Sequence, residues 1–137
     1  MLPDAIRALI RDEQARQQDQ FIEGVPLDTY LAKLDAHAEL VVDEQGGRIR
    51  GFAAFYCNDA ASLRAYITLI LVSPRDRGAG VGRILVERVF AVARSRGFTT
   101  CQLEVAADNI GAIAFYQELG FAQISARGTK RLLEVRL

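Results

Sequence analysis

Apolar and polar residues follow two different periods along this chain, and each period predicts one kind of secondary structure. Spacings of three and four residues are typical of helices with one buried face, and they run through 2–18, 27–37, 81–96 and 110–119. Shorter apolar runs bounded by turn residues predict six strands. One begins at residue 40, and the others span 49–56, 63–72, 99–105, 121–125 and 131–136.

The order of these elements, α-α-β-β-β-α-β-α-β-β, predicts an α/β (α+β) fold. Helices flank a mixed, mostly antiparallel central sheet that begins with an antiparallel meander. One crossover helix makes the strands 63–72 and 99–105 parallel neighbours. The chain has 137 residues, half of them hydrophobic, which is enough for one core. We therefore expect a single domain over residues 1–137.

Three glycines at alternate positions mark the most informative turn in the sequence. They follow an apolar run that stops at Pro74, and a helical pattern begins directly after them. A strand that feeds such a turn points free backbone N–H groups and the positive end of the helix dipole at one place. The glycines are Gly78, Gly80 and Gly82, and the nearby arginines are Arg75, Arg77 and Arg83. The turn is therefore a predicted site for an anion, most simply a phosphorylated cofactor.

The distribution of charge narrows the class of ligand. The formal net charge is zero, but residues 73–96 carry six arginines against two acids, whereas residues 1–50 carry ten acids against six bases. A neutral protein with one concentrated basic turn suits a small polyanion and not a nucleic acid.

Cysteine and histidine usage excludes other classes of site. The two cysteines, Cys57 and Cys101, and the single histidine fit neither a zinc spacing nor a disulfide framework. No apolar run has the length of a membrane helix, and the N-terminal segment lacks the design of a signal peptide. We expect a cytoplasmic protein with reduced cysteines, without a metal and without a membrane partner.

Two other phosphate-binding motifs do not fit the glycine turn. A P-loop needs Lys followed by Ser or Thr, and neither pair occurs in the chain. The dinucleotide motif G-x-G-x-x-G needs its third glycine one residue later than Gly82, within a repeated βαβ unit.

The segment Arg-Gly-Ala-Gly-Val-Gly from Arg77 to Gly82 resembles the Arg/Gln-x-x-Gly-x-Gly/Ala signature of the GNAT superfamily of N-acetyltransferases. The order of elements is also similar to that of the family, without its usual first strand. The resemblance is specific over residues 63–121. Beyond the turn it is carried by Leu103-Glu-Val105, Asn109, Ala112, Tyr116 and Gly120-Phe121, which are similar to the family's L-E-V…N…A…F-Y…L-G-F segment.

This resemblance implies acetyl-CoA as the acyl donor. Its diphosphate would take backbone N–H groups of the turn and the guanidinium of Arg77, and its pantetheine arm would bond to the end of the strand 63–72 as an added strand. The residues implied in donor binding are Leu71, Val72, Arg77, Gly78, Ala79, Gly80, Val81, Gly82, Arg83, Asn109 and Tyr116.

Tyr116 and Glu104 are the candidate catalytic residues. Tyr116 follows Asn109 at the family's spacing for a tyrosine that protonates the leaving thiolate, although a core tyrosine would also fit. Glu104 resembles the base of ribosomal-protein alanine acetyltransferases, and its apolar strand leads us to expect a partly buried carboxylate. The alternative for Glu104 is a sheet glutamate paired with an arginine. Asn109 either contacts the cofactor arm or caps its helix.

These residues favour transfer of an acetyl group from acetyl-CoA to a primary amine by direct attack, with a small molecule as acceptor. The alternatives are a non-catalytic acyl-CoA-binding module and an enzyme that acetylates a protein or peptide amine. The acidic first half favours a cationic acceptor, although surface solvation explains the same charges. The exposed strand edge expected without a first strand would suit a homodimer. Candidates for the acceptor pocket, which strand packing would also explain, are Tyr56, Asp59, Tyr66 and Thr68.

Overall fold

The computed structural model describes residues 2–137, and over that range the elements follow the predicted order. The helices are α1 (Asp4–Arg16), α2 (Leu27–His37), α3 (Val81–Ser95) and α4 (Ile110–Glu118), and a short 3₁₀ turn spans Pro74–Asp76. The strands are β1 (Glu39–Gln45), β2 (Arg48–Tyr56), β3 (Arg64–Val72), β4 (Thr100–Ala106), β5 (Ala122–Arg127) and β6 (Lys130–Arg136).

The six strands form one sheet in the order β1-β2-β3-β4-β6-β5. Among residues 2–137, only β3 and β4 pair in parallel, because α3 crosses over between them, and the other four pairings are antiparallel. The predicted fold class is therefore confirmed. Within residues 2–137 no strand precedes α1, and the sheet begins with β1.

Two apolar cores lie on opposite faces of the sheet. On one face α1 and α2 pack against the first three strands, with Ile6, Ile10 and Leu31 among the most buried side chains. On the other face α3 and α4 pack against the sheet, with Leu85 and Val89 fully buried. The sheet is thus the middle layer of three.

Helix α1 ends at Arg16, two residues earlier than predicted. The chain leaves the helix because Gln18 and Asp19 take left-handed backbone angles, with φ of 54° and 62°. The segment after α1 therefore turns sharply toward the centre of the sheet.

A β-bulge at Thr68 interrupts β3 in the middle of the sheet. Phe55 of β2 pairs with Ile67, but its neighbour Ala54 pairs with Leu69, so Thr68 has no partner on β2. The pairing of β3 with β4 also stops at Ile67. Beyond this point the two parallel strands have no ladder between them, and a cavity opens there.

Candidate active site

The glycine turn, defined here as residues 77–83, joins the 3₁₀ turn to α3. Gly78 and Gly80 have φ of +83° and +80°, and nothing lies within 4 Å of a Cβ added at either residue. Glycine is therefore required there by the backbone angles and not by lack of space. The first amides of α3 have no partner within the helix and open onto a cavity of about 320 Å³. That cavity is lined by Val72, Asp76, Arg77, Gly78, Gly80, Val81, Gly82, Arg83 and Phe115.

Arg77, predicted to contact a diphosphate, already has two partners within the protein. Its Nη2 donates to Oε1 of Glu13 at 3.0 Å, and its Nε donates to the carbonyl of Val72 at 3.2 Å. The side chain remains 49% exposed, so its other N–H groups face solvent. Arg77 therefore lines the cavity, and its guanidinium is held in place by Glu13 of α1.

One acid, Asp76, lines the same cavity, and the sequence analysis did not select it. Arg48 of β2 makes two hydrogen bonds to its carboxylate, one of them 3.0 Å long. These bonds lower the pKa of Asp76, and the charge of Arg48 acts in the same direction. Arg48 thus offsets the negative charge that Asp76 brings to the turn.

Glu13 is a buried acid that the sequence analysis also missed, since it lies 64 residues from Arg77 in the chain. Its carboxylate accepts hydrogen bonds from Arg16 and Arg77 and from Nε2 of Gln17 at 2.7 Å. Burial is the largest single influence on its pKa and raises it. The bond from Gln17 and the charges of Arg77 and Arg16 together outweigh burial, so the pKa lies below the ordinary value of 4.5.

The central cavity, of about 280 Å³, lies where β3 and β4 separate. The segment after α1 borders it on one side with Gln17, Gln20 and Phe21, and α4 borders it on the other with Ala112 and Tyr116. The walls between them include residues 68–70 of β3 and 104–106 of β4, which do not pair with each other. The opening therefore receives side chains from both helical layers.

Tyr116 of α4 lines the central cavity and belongs to a cluster of three aromatic side chains. Its ring packs edge-on against Phe115 and Phe121, with centroids 5.2 and 5.6 Å away. Burial raises the pKa of Tyr116 to about 12. The phenol therefore keeps its proton at neutral and moderately alkaline pH and is a proton donor in its resting form.

Glu104 reaches the same cavity from β4, but the expected burial of its carboxylate is wrong. Its neighbours Leu103 and Val105 point into the apolar core, and by alternation Glu104 points the opposite way and is exposed. Within the described range, 2–137, no arginine pairs with Glu104. Its carboxylate instead accepts a hydrogen bond from the hydroxyl of Tyr66 at 3.3 Å. Burial and the nearby carboxylate raise the pKa of Tyr66 to about 12.

Asn109 caps helix α4, which was one of the two roles considered for it. Its Oδ1 accepts a hydrogen bond from the backbone N–H of Ala112 at 3.2 Å. The side chain also lines the central cavity, so a contact with the cofactor arm stays a prediction.

Of the remaining predicted residues, some line one of the two cavities and others do not. Leu71 packs into the core beside α1 and α2, and the Val72 carbonyl already accepts from Arg77. Ala79 is exposed within the turn. Of the acceptor-pocket candidates, Thr68 lines the central cavity, whereas Tyr56 and Asp59 do not.

Residues missed by the sequence analysis complete the cavity: Gln17, Gln20, Phe21 and Lys130. They come from loops and element ends that carry no motif, so no pattern in the sequence singled them out. Over residues 2–137, no helix combines the length and apolar character needed to cross a bilayer. In the same range, no three His, Cys, Asp or Glu side chains group closely enough to hold a metal ion.

This α/β fold thus carries one cavity beside the glycine turn and a second where the parallel strands β3 and β4 separate. The model of the acetyltransferase (GNAT) family matches residues 5–121. The chain belongs to the GNAT family of acetyltransferases.

Individual relatives agree with this assignment. An uncharacterized N-acetyltransferase of Methanocaldococcus jannaschii is 37% identical over 98 residues, which is 69% of this chain and 43% of that protein. The [ribosomal protein bS18]-alanine N-acetyltransferase of Escherichia coli K12 is 37% identical over 75 residues, 55% of this chain and 51% of that one. The chain thus spans about half the length of the curated relatives it matches.

One solved structure shows how well the fold agrees. A GNAT family acetyltransferase from Elizabethkingia anophelis, with acetyl-CoA bound, superposes with a TM-score of 0.72 at 16% identity. The match covers 85% of this chain and 94% of that one. At this identity the likeness concerns the fold.

Proposed function

We propose that the protein transfers an acetyl group from acetyl-CoA to a primary amine by direct attack. One observation carries the proposal: Glu104 and Tyr116 line the same central cavity, one as an exposed carboxylate and the other as a protonated phenol. Aminolysis of a thioester needs one group that accepts a proton and one that donates a proton, and these two side chains supply them.

The glycine turn fits the diphosphate of the donor. It offers backbone N–H groups at the start of α3, in a stretch where Gly78 and Gly80 leave the approach open. The exposed side of the Arg77 guanidinium adds a cation with further N–H donors beside these amides. The pantetheine arm has a place along residues 68–70, where β3 has no partner on the side of β4.

The chemistry assigns one proton transfer to each side chain. Acetyl-CoA supplies a thioester carbonyl carbon, which forms a bond to the amine nitrogen as its bond to sulfur breaks. Glu104 accepts the proton that the ammonium must lose, directly or through a water molecule. Tyr116 donates its proton to the departing thiolate, and its high pKa ensures that this proton is present beforehand. Neither Cys57 nor Cys101 lines the central cavity, which favours direct attack over an acyl-enzyme.

Incubation with acetyl-CoA and a panel of amines, followed by release of free thiol, tests this proposal. We expect thiol release that depends on an amine. Glu104→Gln should lower kcat, with little change in KM for acetyl-CoA. Glu134→Gln is the matched control, because Glu134 accepts a hydrogen bond from Gln102 on the neighbouring strand and lines neither cavity. Binding of CoA without any thiol release would instead favour the non-catalytic acyl-CoA-binding module.

The first candidate acceptor is a small amine, since the central cavity is small. A protein amino terminus is the second candidate, because the cavity continues into an open groove of about 670 Å³ that would accommodate an extended chain. The E. coli relative at 37% identity is named for a protein alanine. The groove is lined by Gln17, Gln20, Glu23, Ala106, Ala107, Asp108, Asn109, Thr129 and Lys130.

Competition separates the two acceptors. Short peptides with a free amino terminus and the same peptides with a blocked terminus are offered beside diamines and amino sugars. Acetylation confined to free-terminus peptides would establish the second candidate and reject the first.

A further inference from the structure

Glu13 lies between the glycine turn and the central cavity and contacts both. Only 5% of its side chain is exposed. Oε1 accepts a hydrogen bond from Arg77 of the turn, and Oε2 accepts one from Gln17, whose side chain lines the central cavity. One buried carboxylate therefore holds a residue of each cavity on separate oxygen atoms.

The next residue, Gln14, fixes the rest of the segment after α1. Its Oε1 accepts from the backbone N–H of Ile22 at 2.7 Å, and its Nε2 donates to the carbonyls of Ile22 and Asp19 at 3.0 and 3.3 Å. This buried amide holds a segment whose left-handed residues Gln18 and Asp19 carry backbone strain. The segment 17–22 is therefore tied to the last turn of α1 through the side chain of Gln14.

We propose that Glu13 is a positioning residue that links the donor site to the acceptor site. A donor at the glycine turn orders Arg77, Arg77 orders Glu13, and Glu13 holds Gln17 and the segment 17–22 against the central cavity. The inference rests on the proposed function, because it takes the turn as the donor site and the central cavity as the place of reaction. Hydrogen-bonded ionic networks of this kind can carry energetic coupling between sites.

A buried ion pair can also serve stability alone, and Asp43 provides the matched case. Its side chain is 7% exposed and accepts a hydrogen bond from Arg50 at 2.6 Å. Asp43 lies on β1 and lines neither cavity. Loss of its charge should therefore disturb folding as loss of the Glu13 charge does, without touching the proposed link.

The test is hydrogen exchange of the full chain with and without CoA, for the wild type, Glu13→Gln and Asp43→Asn. In the wild type and in Asp43→Asn, we expect CoA to slow exchange both in residues 78–83 and in residues 17–22. In Glu13→Gln, we expect slowing in 78–83 to remain and slowing in 17–22 to be lost. Gln17→Leu removes the other end of the link at an exposed position, so the test stands even if Glu13→Gln does not fold; it should lose the slowing in 17–22 in the same way.

Each other outcome is decisive. If Glu13→Gln or Gln17→Leu keeps the slowing in 17–22, CoA acts on that segment without Glu13 and the inference is overturned. If the wild type shows slowing in 78–83 alone, no link exists. If CoA slows exchange in neither segment, the proposed donor site itself is wrong, which distinguishes that failure from failure of the link.

Discussion

Gly51 of β2 lies directly against the backbone of Leu71 in β3. A Cβ added at Gly51 would come within 2.9 Å of the Leu71 carbonyl oxygen, and within 3.1 and 3.2 Å of the side chains of Val81 and Leu85. A backbone atom cannot yield as the end of a flexible side chain can. The absence of a side chain at Gly51 therefore allows the start of α3, and with it the glycine turn, to pack closely against the sheet.

Gly51→Ala should consequently destabilise the fold, by about 1–3 kcal/mol, as is typical of overpacking in a core. Gly111→Ala is the control, because Gly111 lies in α4 with nothing within 4 Å of an added Cβ. There the alanine should stabilise by roughly 0.5–1 kcal/mol, since glycine is the poorer helix former. Urea unfolding measures both changes, and equal effects at the two glycines would contradict the steric account.

Tyr116→Phe should lower kcat by about 10²–10⁴-fold, the usual contribution of a positioned proton donor, with little change in KM. Because the pKa of Tyr116 is about 12, the wild type should keep this advantage throughout the neutral and moderately alkaline range. Rates of thiol release at several pH values give the comparison. Tyr56→Phe removes a hydroxyl that lines neither cavity and should leave kcat unchanged. An unaltered kcat in Tyr116→Phe would exclude the acid role.

Arg77→Ala should raise KM for acetyl-CoA by roughly tenfold or more, because a hydrogen bond to a charged group contributes about 1.5–3 kcal/mol. It should also lower the melting temperature, since Glu13 loses one of its partners. Arg94→Ala removes the same charge at the far end of α3, where the guanidinium lies over the ring of Phe90, and should change neither KM nor binding of CoA. A KM that shifts equally in both variants would mean that only net charge matters.

The acid sensitivity of folding should depend on Glu13. Its pKa in the folded protein is lower than the ordinary 4.5, so its contribution to stability is complete above that value and is lost as the pH falls below it. The difference in melting temperature between the wild type and Glu13→Gln should thus be largest near neutral pH and shrink as the pH falls through the lowered pKa of Glu13. A difference that is constant with pH would show that the carboxylate charge contributes nothing.

The order of the elements followed from periodicity most directly where an element buries a regular face, as α3 and β3 do. The turn at Gly78 and Gly80 was predictable for a related reason, since closely spaced glycines before a helical pattern report local backbone geometry. Short-range patterns are thus sufficient where the structure is determined by neighbouring residues.

Contacts between distant parts of the chain were not predictable in this way. The anchoring of Arg77 by Glu13 spans 64 residues and leaves no periodic signal. The exposure of Glu104 could have been inferred from strict alternation with Leu103 and Val105, but the apolar character of the strand suggested burial instead. The polar wall formed by Gln17 and Gln20 depends on where α1 ends, and helix ends are the least regular part of a sequence pattern.

Thr68, the bulged residue of β3, is not needed for the packing of either core. Ile67, Ile70 and Val72 pack toward α3 and α4, whereas Leu69 and Leu71 pack toward α1 and α2. If Thr68 were absent, these residues would alternate strictly, every one would keep its face, and the ladder with β2 would be continuous. A strand one residue shorter would therefore satisfy the core equally well, and the ladder with β2 is interrupted because β3 carries one residue more than its packing needs.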